Sequence, residues 1–263
     1  MPYLRAFSTL GCPELGLDAA LALARRHGLD AVELRTLEGT TDLPALFARE
    51  HGTPAELAAH VAATGVRVVS LDTSFRLADP QPGDWDALLA FGPWAEALGV
   101  RWLRAFDGGA PDRPLGPIVA SWERWRAHRA SAGWRCDLMV ETHDALFTAA
   151  AIRDFVRAAP GASILWDSHH TWKKGGEDPV ATWSGIRPHV VHVHVKDSVS
   201  RPSARHPFTY VLPGDGEFPM APLRAVLASE FGGTLSLEWE RQWHPYLAPV
   251  DEALGTAAVR GWW

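Results

Sequence analysis

Short runs rich in β-branched and aromatic residues recur along the chain, each followed by a longer amphipathic or Ala/Leu-rich stretch. The runs are YLRAFS (3–8), AVELR (31–35), RVVSLD (67–72), VRWLRAF (100–106), DLMVETH (137–143), SILWDS (163–168), VVHVHVK (190–196) and TLSLEWE (234–240). Each reads as a strand. Between them GLDAALALARRHG (16–28), TPAELAAHVAATG (53–65), DWDALLAFGPWAEALG (84–99), ALFTAAAIRDFVRAA (145–159) and PLRAVLASEFG (222–232) predict helices, several closing on the glycine that a helix C-terminus favours. Strands alternating with helices imply a parallel sheet covered by helices. Eight units averaging about 33 residues match the size of a (β/α)8 TIM barrel. No linker, low-complexity tract or charge block breaks the rhythm, so residues 1–263 are expected to form a single barrel domain. An open doubly wound sheet is the alternative, but STLGCPELG after the first strand does not match the GxGxxG phosphate turn.

Charge and composition narrow the function. Lys and Arg number 25 against 31 Asp and Glu, a formal charge of -6, and no basic cluster is long enough to track a phosphate backbone, so nucleic acid is not the expected partner. No apolar stretch of about 18 residues is present to span a bilayer, and MPYLRAFSTLG lacks the three-part pattern of an export signal. The expectation is a soluble cytoplasmic protein without a membrane partner. Cys12 and Cys136 are the only cysteines, far apart and outside any CxxC, which suits reduced thiols.

The barrel reading turns position into chemistry, because side chains at the C-terminal ends of barrel strands point into the active-site mouth. The late strands end in Glu141 (MVETH), Asp167 and His170 (LWDSHH), His194 (HVHVKD) and Glu238 (SLEWE). Four successive strands thus end in metal-ligand types. Successive candidates lie about one β/α unit apart, the last interval enlarged by the loop SVSRPSARHPFTYVLPGDGEFP. Three carboxylates and an imidazole suit a divalent ion of intermediate hardness, with Mn²⁺ the first expectation and Mg²⁺, Co²⁺ or Zn²⁺ as alternatives. Without a cation the carboxylates would repel one another and raise their own pKa values.

FSTLGCPELGLDAALALARRHGLDAVELR, VETH, WDSHH, HVHVKDS, PGDGEFP and LSLEWE together resemble the xylose isomerase-like barrel proteins grouped as sugar phosphate isomerases/epimerases. These include ketose 3-epimerases, hydroxypyruvate isomerases, inosose isomerases and dehydratases, and, more distantly, endonuclease IV. The resemblance runs over nearly the whole chain and implies that Glu141, Asp167, His194 and Glu238 bind the metal and that His170 contacts substrate. His192 then lies one pleat below His194, and Lys196 and Asp197 belong to the mouth. Two departures bear on substrate. Phe147 stands where the ketose 3-epimerases carry a further substrate-binding Glu, and His194-Val195-Lys196-Asp197 replaces their His-x-Gly-Glu, closer to the inosose and hydroxypyruvate branches. Earlier strand ends offer Asp72 and Asp107 where endonuclease IV uses histidines, which leaves a three-zinc nuclease site incomplete.

The resemblance implies a divalent-metal-dependent isomerase or epimerase of a sugar or polyol-derived hydroxy-ketone, moving a proton through a metal-stabilised enediolate. Glu141 and Glu238 are the expected catalytic acid and base. His143 and His170 are expected to bind substrate, and Lys196 to offset developing negative charge. Glu33 and Arg35 are expected either to contact substrate or to pair with each other in the mouth, and Trp172 to wall the sugar. Alternatives are an inosose-type dehydratase on the same site, a non-catalytic sugar-binding barrel and an endonuclease IV-like phosphodiesterase. A homo-oligomer is compatible with the chain.

Overall fold

A parallel strand must bury both faces, and strands with the natural right-handed twist close into a cylinder when helices cover the outside. The computed structural model, which describes residues 3–263, has this architecture. Met1 and Pro2, part of the expected single domain, lie outside the described residues. In chain order the elements are β1 (Leu4–Ser8), α1 (Leu17–Arg26), β2 (Ala31–Leu34), α2 (Leu43–His51), α3 (Pro54–Thr64), β3 (Arg67–Arg76), α4 (Asp84–Ala90), α5 (Gly92–Leu98), β4 (Trp102–Phe106), α6 (Gly116–Ala132) and β5 (Asp137–Glu141). There follow α7 (Ala149–Ala158), β6 (Ser163–Asp167), α8 (Ser168–Lys173), α9 (Pro179–Ile186), β7 (Val190–Val195), β8 (Asp197–Val199), β9 (Thr209–Val211), α10 (Met220–Glu230), β10 (Thr234–Leu237) and α11 (Val250–Val259). Strands β1 to β7 and β10 form a closed parallel barrel, with β1 pairing β2 on one side and β10 on the other. The doubly wound alternative is thereby excluded. Strands β8 and β9 form an antiparallel hairpin inside the long loop before α10. Among the described residues no helix is long and apolar enough to cross a membrane.

Two helices depart from the expected spans for local reasons. The stretch 84–99 is two helices, α4 and α5, because Pro93 has no N–H to continue the ladder. Gly92 at the break is held to glycine by packing: a Cβ there would sit 2.2 Å from the Trp134 ring. Helix α7 starts at 149 rather than 145 because the Asp107 carboxylate captures the backbone N–H groups of Asp144, Ala145 and Leu146 at 2.7–2.9 Å. Thr148 then caps the helix by accepting from the Ala151 N–H.

Register sets the height of each inward side chain. Asp167 pairs with His194 across β6 and β7, His194 with Ser236 across β7 and β10, and Phe106 with Glu141 across β4 and β5. Asp167, His194 and Glu141 therefore share the upper rim, while His192 lies opposite Leu165, one pleat lower. Asp197 does not face the mouth. Its carboxylate accepts from the N–H groups of Ser198, Gly214, Gly216 and Phe218 at 2.8–3.0 Å, clamping the long loop.

Candidate metal and substrate site

The upper barrel is densely charged. Glu33, Asp72, Arg104, Glu141, Asp167, His192, His194, Lys196 and Glu238 are all buried. Four of them converge as the strand ends predict: Glu141, Asp167, His194 and Glu238 each offer one oxygen or nitrogen, and these atoms all lie within 4.8 Å of one another. His194 presents Nδ1 to this group, 3.3 Å from Glu238 Oε2 and 3.9 Å from Glu141 Oε1. Glu141 Oε2, Asp167 Oδ2 and His194 Nδ1 have charged neighbours but no well-formed hydrogen bond. Buried lone pairs converging without hydrogen bonds, in a set of three carboxylates and one imidazole, fit a divalent cation.

The far side of the histidine explains a residue whose role sequence reasoning misjudged. Glu33 neither pairs with Arg35 nor faces the mouth. Its Oε2 lies 2.9 Å from His194 Nε2 and 2.7 Å from His192 Nε2. Strand β2 directs Glu33 across the barrel interior toward β7, where two histidines one pleat apart both point inward. This is the arrangement in which a carboxylate fixes the tautomer and orientation of a ligating histidine. Burial works against the Glu33 carboxylate, yet the charges of His194 and His192 hold its pKa well below the usual range.

Lys196 follows β7 and turns its ammonium into the same cluster. Nζ lies 2.7 Å from Asp167 Oδ2 and 2.6 Å from Glu240 Oε1, and it also bonds Glu238. Burial disfavours this cation, but the three carboxylates raise its pKa well above that of an ordinary lysine. On the opposite wall Arg104 places Nη1 3.1 Å from Glu141 Oε2 and Nε 3.8 Å from Asp72 Oδ2.

Above these groups lies a cavity of about 60 Å³, lined by Leu10, Arg35, Arg104, Phe106, Glu141, His143, His170, Glu238, Glu240 and Trp243. His143 and His170 meet edge to face at 4.8 Å. The His143 ring bonds Asp144 through Nδ1 at 2.8 Å, and His170 Nδ1 lies 3.1 Å from the Thr142 carbonyl. Burial, followed by the charges of Lys196 and Lys174, holds the His170 pKa well below its usual value, so its ring is neutral; donating Nδ1–H to that carbonyl leaves Nε2 as an acceptor. Trp172 does not line the cavity. It packs edge-on against Phe218 and His169 at 5.4 and 5.5 Å, because α8 turns it toward the long loop. Trp243 takes that position instead.

Sequence reasoning missed Arg104, Glu240 and Trp243. Two of them left a signal: Arg104 interrupts an apolar strand run, and Glu240 repeats the inward parity of Glu238 two residues on. Trp243 lies in an irregular loop with no periodicity to mark it. Asp72 and Asp107 do not join the four converging residues. Asp107 is saturated by backbone N–H groups; Asp72, with Arg104 Nε 3.8 Å from its Oδ2, is outside the converging four although both its oxygens are buried without a hydrogen bond.

The family described as xylose isomerase-like TIM barrel matches residues 21–260. The chain belongs to that family. Its fold is similar to that of the probable 3-DHS dehydratase AsbF involved in petrobactin synthesis from Bacillus anthracis, with a TM-score of 0.78 and 16% identity over 97% of this chain and 98% of that one. It is also similar to the IOLI protein with a bound zinc atom, with a TM-score of 0.72 and 17% identity over 98% and 96% of the two chains. For the D-allulose 3-epimerase from Methylomonas sp. in complex with D-allulose, the values are 0.69 and 15% over 97% and 93%. No curated protein matches the chain.

The two histidines and Glu33 give a direct test of the metal assignment. His194→Ala should remove most metal affinity, and Glu33→Gln should weaken it about 10–100-fold by releasing the ring. His192→Ala should lower thermal stability while leaving the ion bound. Competition against a chromogenic chelator measures all three, and equal metal loss in folded His192→Ala and His194→Ala would refute the ligand choice.

Proposed function

We propose that the chain is a divalent-metal-dependent isomerase or epimerase acting on a sugar or polyol-derived hydroxy-ketone. The observation that carries this reading is the convergence of Glu141, Asp167, His194 and Glu238, with two of these carboxylates also lining the cavity. Mn²⁺ is the first expectation for the ion, and the zinc in the IOLI protein makes Zn²⁺ the leading alternative. When bound, the cation would hold adjacent carbonyl and hydroxyl oxygens and acidify the neighbouring C–H.

The protein's own groups then divide the proton work. Burial raises the Glu141 pKa; Arg104 opposes this, and the charge of Glu238 adds to it. Glu238 is driven the other way: the charges of His194 and Lys196 overcome burial and hold it well below the usual range. Carboxyls pushed apart in this manner suit opposite roles. Glu238 is the base that removes the proton, and Glu141 delivers one to the enediolate. His170 Nε2 accepts a hydrogen bond from a substrate hydroxyl. Arg104 and Lys196 offset charge that develops near the two carboxylates. A space of about 60 Å³ holds roughly two waters, so substrate entry displaces rim side chains, of which Trp243 is the most exposed at 37%.

A dehydratase reading on the same site has one specific support. His143 lines the cavity, and although burial opposes its charge, Asp144 and Glu141 raise its pKa, which suits an acid at a departing hydroxyl. The Bacillus anthracis neighbour is itself titled a probable dehydratase.

The test is solvent deuterium exchange across a panel of ketoses, inososes and hydroxypyruvate with Mn²⁺, Co²⁺, Mg²⁺ and Zn²⁺. Exchange at a carbon next to the carbonyl, dependent on the ion, is expected. A protein that binds the ion and a ketone yet exchanges no proton is a binding barrel and refutes the enzyme reading.

A further inference from the structure

One cation in the cavity is unused by the chemistry above. Every carboxylate lining the cavity already has a basic partner. Glu141 has Arg104 at 3.1 Å, Glu238 has Lys196 and His194, and Glu240 has Lys196 at 2.6 Å. Arg35 is different. It is 5% exposed, lines the cavity, and forms no ion pair with any described carboxylate. Its guanidinium donates through Nη1 alone, at 3.0 Å to Ser74 Oγ and 3.3 Å to the Asp72 carbonyl. Nε and Nη2 have no partner among the described residues.

We propose that the substrate carries a carboxylate and that Arg35 receives it through Nε and Nη2. The proposal rests on the reading of this site as a hydroxy-ketone enzyme and narrows it from neutral sugars to keto acids. The two free donors lie along one edge of a planar guanidinium, a fork that matches the two oxygens of a carboxylate. Ser74 and the Asp72 carbonyl hold the other edge, so the fork is aimed before ligand arrives. The carboxylates of Glu238 and Glu240, which also line the cavity, disfavour a second negative charge and so favour a singly charged carboxylate over a phosphate. The electrostatics agree: burial, and next the charge of Arg104, push the Arg35 pKa down to about 9. A bound anion relieves that cost.

Three C3 ketones that differ only at one terminal group separate the possibilities. Dihydroxyacetone is neutral there, hydroxypyruvate carries a carboxylate and dihydroxyacetone phosphate carries a phosphate. Their affinities for the Mn²⁺-loaded protein are to be measured by calorimetry, in wild type, Arg35→Met and Arg35→Lys. Hydroxypyruvate is expected to bind about 10–100-fold tighter than dihydroxyacetone, the range of a charge-assisted paired hydrogen bond, and tighter than dihydroxyacetone phosphate. Arg35→Met should lower that preference about 10–100-fold, to the level that chelation by Mn²⁺ alone supplies, and Arg35→Lys, which keeps charge without the fork, should lose only part of it. The comparison with the variants removes the contribution of carboxylate chelation by Mn²⁺, which all three proteins share. Arg35 has no ion pair to lose, only its hydrogen bonds to Ser74 Oγ and the Asp72 carbonyl, so Arg35→Met should lower the melting temperature by no more than a few degrees, whereas a structural arginine would lower it far more.

Equal binding of the three ketones, preference for the phosphate, a carboxylate preference as large in Arg35→Met as in wild type, or a large fall in its melting temperature would each overturn the assignment. Deuterium exchange distinguishes this failure from that of the enzyme reading. Exchange into neutral ketoses without carboxylate preference keeps the enzyme and discards the role of Arg35. Carboxylate preference without exchange does the reverse.

Discussion

Glu141→Gln and Glu238→Gln are each expected to lower metal-dependent proton exchange by about 10²–10⁴-fold, the usual worth of general acid–base assistance, with the barrel still folded. Glutamine keeps the size and one coordinating oxygen of each side chain and removes the titrating group. The two losses should differ in kind. Glu238 is held ionised by His194 and Lys196, so its variant should fail at the first step and show no exchange. Glu141 is raised by burial and lies against Arg104, so its variant should still remove a proton and fail to return it on the correct face. For an epimerase, exchange from one stereoisomer then survives in one variant only. NMR of the recovered substrate reads both. Near wild-type turnover in both variants would defeat the paired-carboxylate mechanism and pass the chemistry to His170 or Lys196.

Lys196→Met should cost about 3–5 kcal/mol of stability in the ion-free protein, the usual penalty for removing one partner of a buried ionic group. The ammonium is 1% exposed and serves Asp167, Glu238 and Glu240 together. Its loss leaves three buried carboxylates with too little positive charge nearby. The deficit should shrink as pH is lowered toward the ordinary carboxyl range, because a protonated carboxyl needs no counter-charge. It should also shrink when Mn²⁺ is added, since Asp167 and Glu238 then have another cation. Urea denaturation with EDTA or with Mn²⁺, at neutral and acidic pH, measures these differences. A deficit unchanged by both pH and metal would mean that Lys196 supports the fold by packing alone.

The barrel was legible because its evidence is local. Each of the eight expected strands appears, most trimmed by one or two residues, with β10 shorter by three and β3 running on to Arg76. Helices α2, α6, α8, α9 and α11 were not among the expected spans, and the 84–99 stretch was read as one helix although Pro93 marks the break. The convergence of Glu141, Asp167, His194 and Glu238 was legible too, because a β/α repeat returns each strand end to the same rim.

Partner choice across the barrel was not legible. Glu33 and Arg35 are two apart on one strand and looked alike as mouth residues. Closure carries the Glu33 carboxylate to two histidines on β7, while Arg35 passes beyond the strand end to the cavity with half its donors unused. Trp243 and not the expected Trp172 lines the cavity for a similar reason: a short helix turns one away, and an irregular loop delivers the other. Strand order, helix cover and the residue types at the rim follow from periodicity along the chain, which depends only on neighbours in sequence. Which nitrogen of His194 faces the carboxylates, which cation offsets which anion, and which arginine stays free depend on register and closure between strands far apart in sequence. Those are settled only when eight strands share one cylinder and every buried charge must find its partner there.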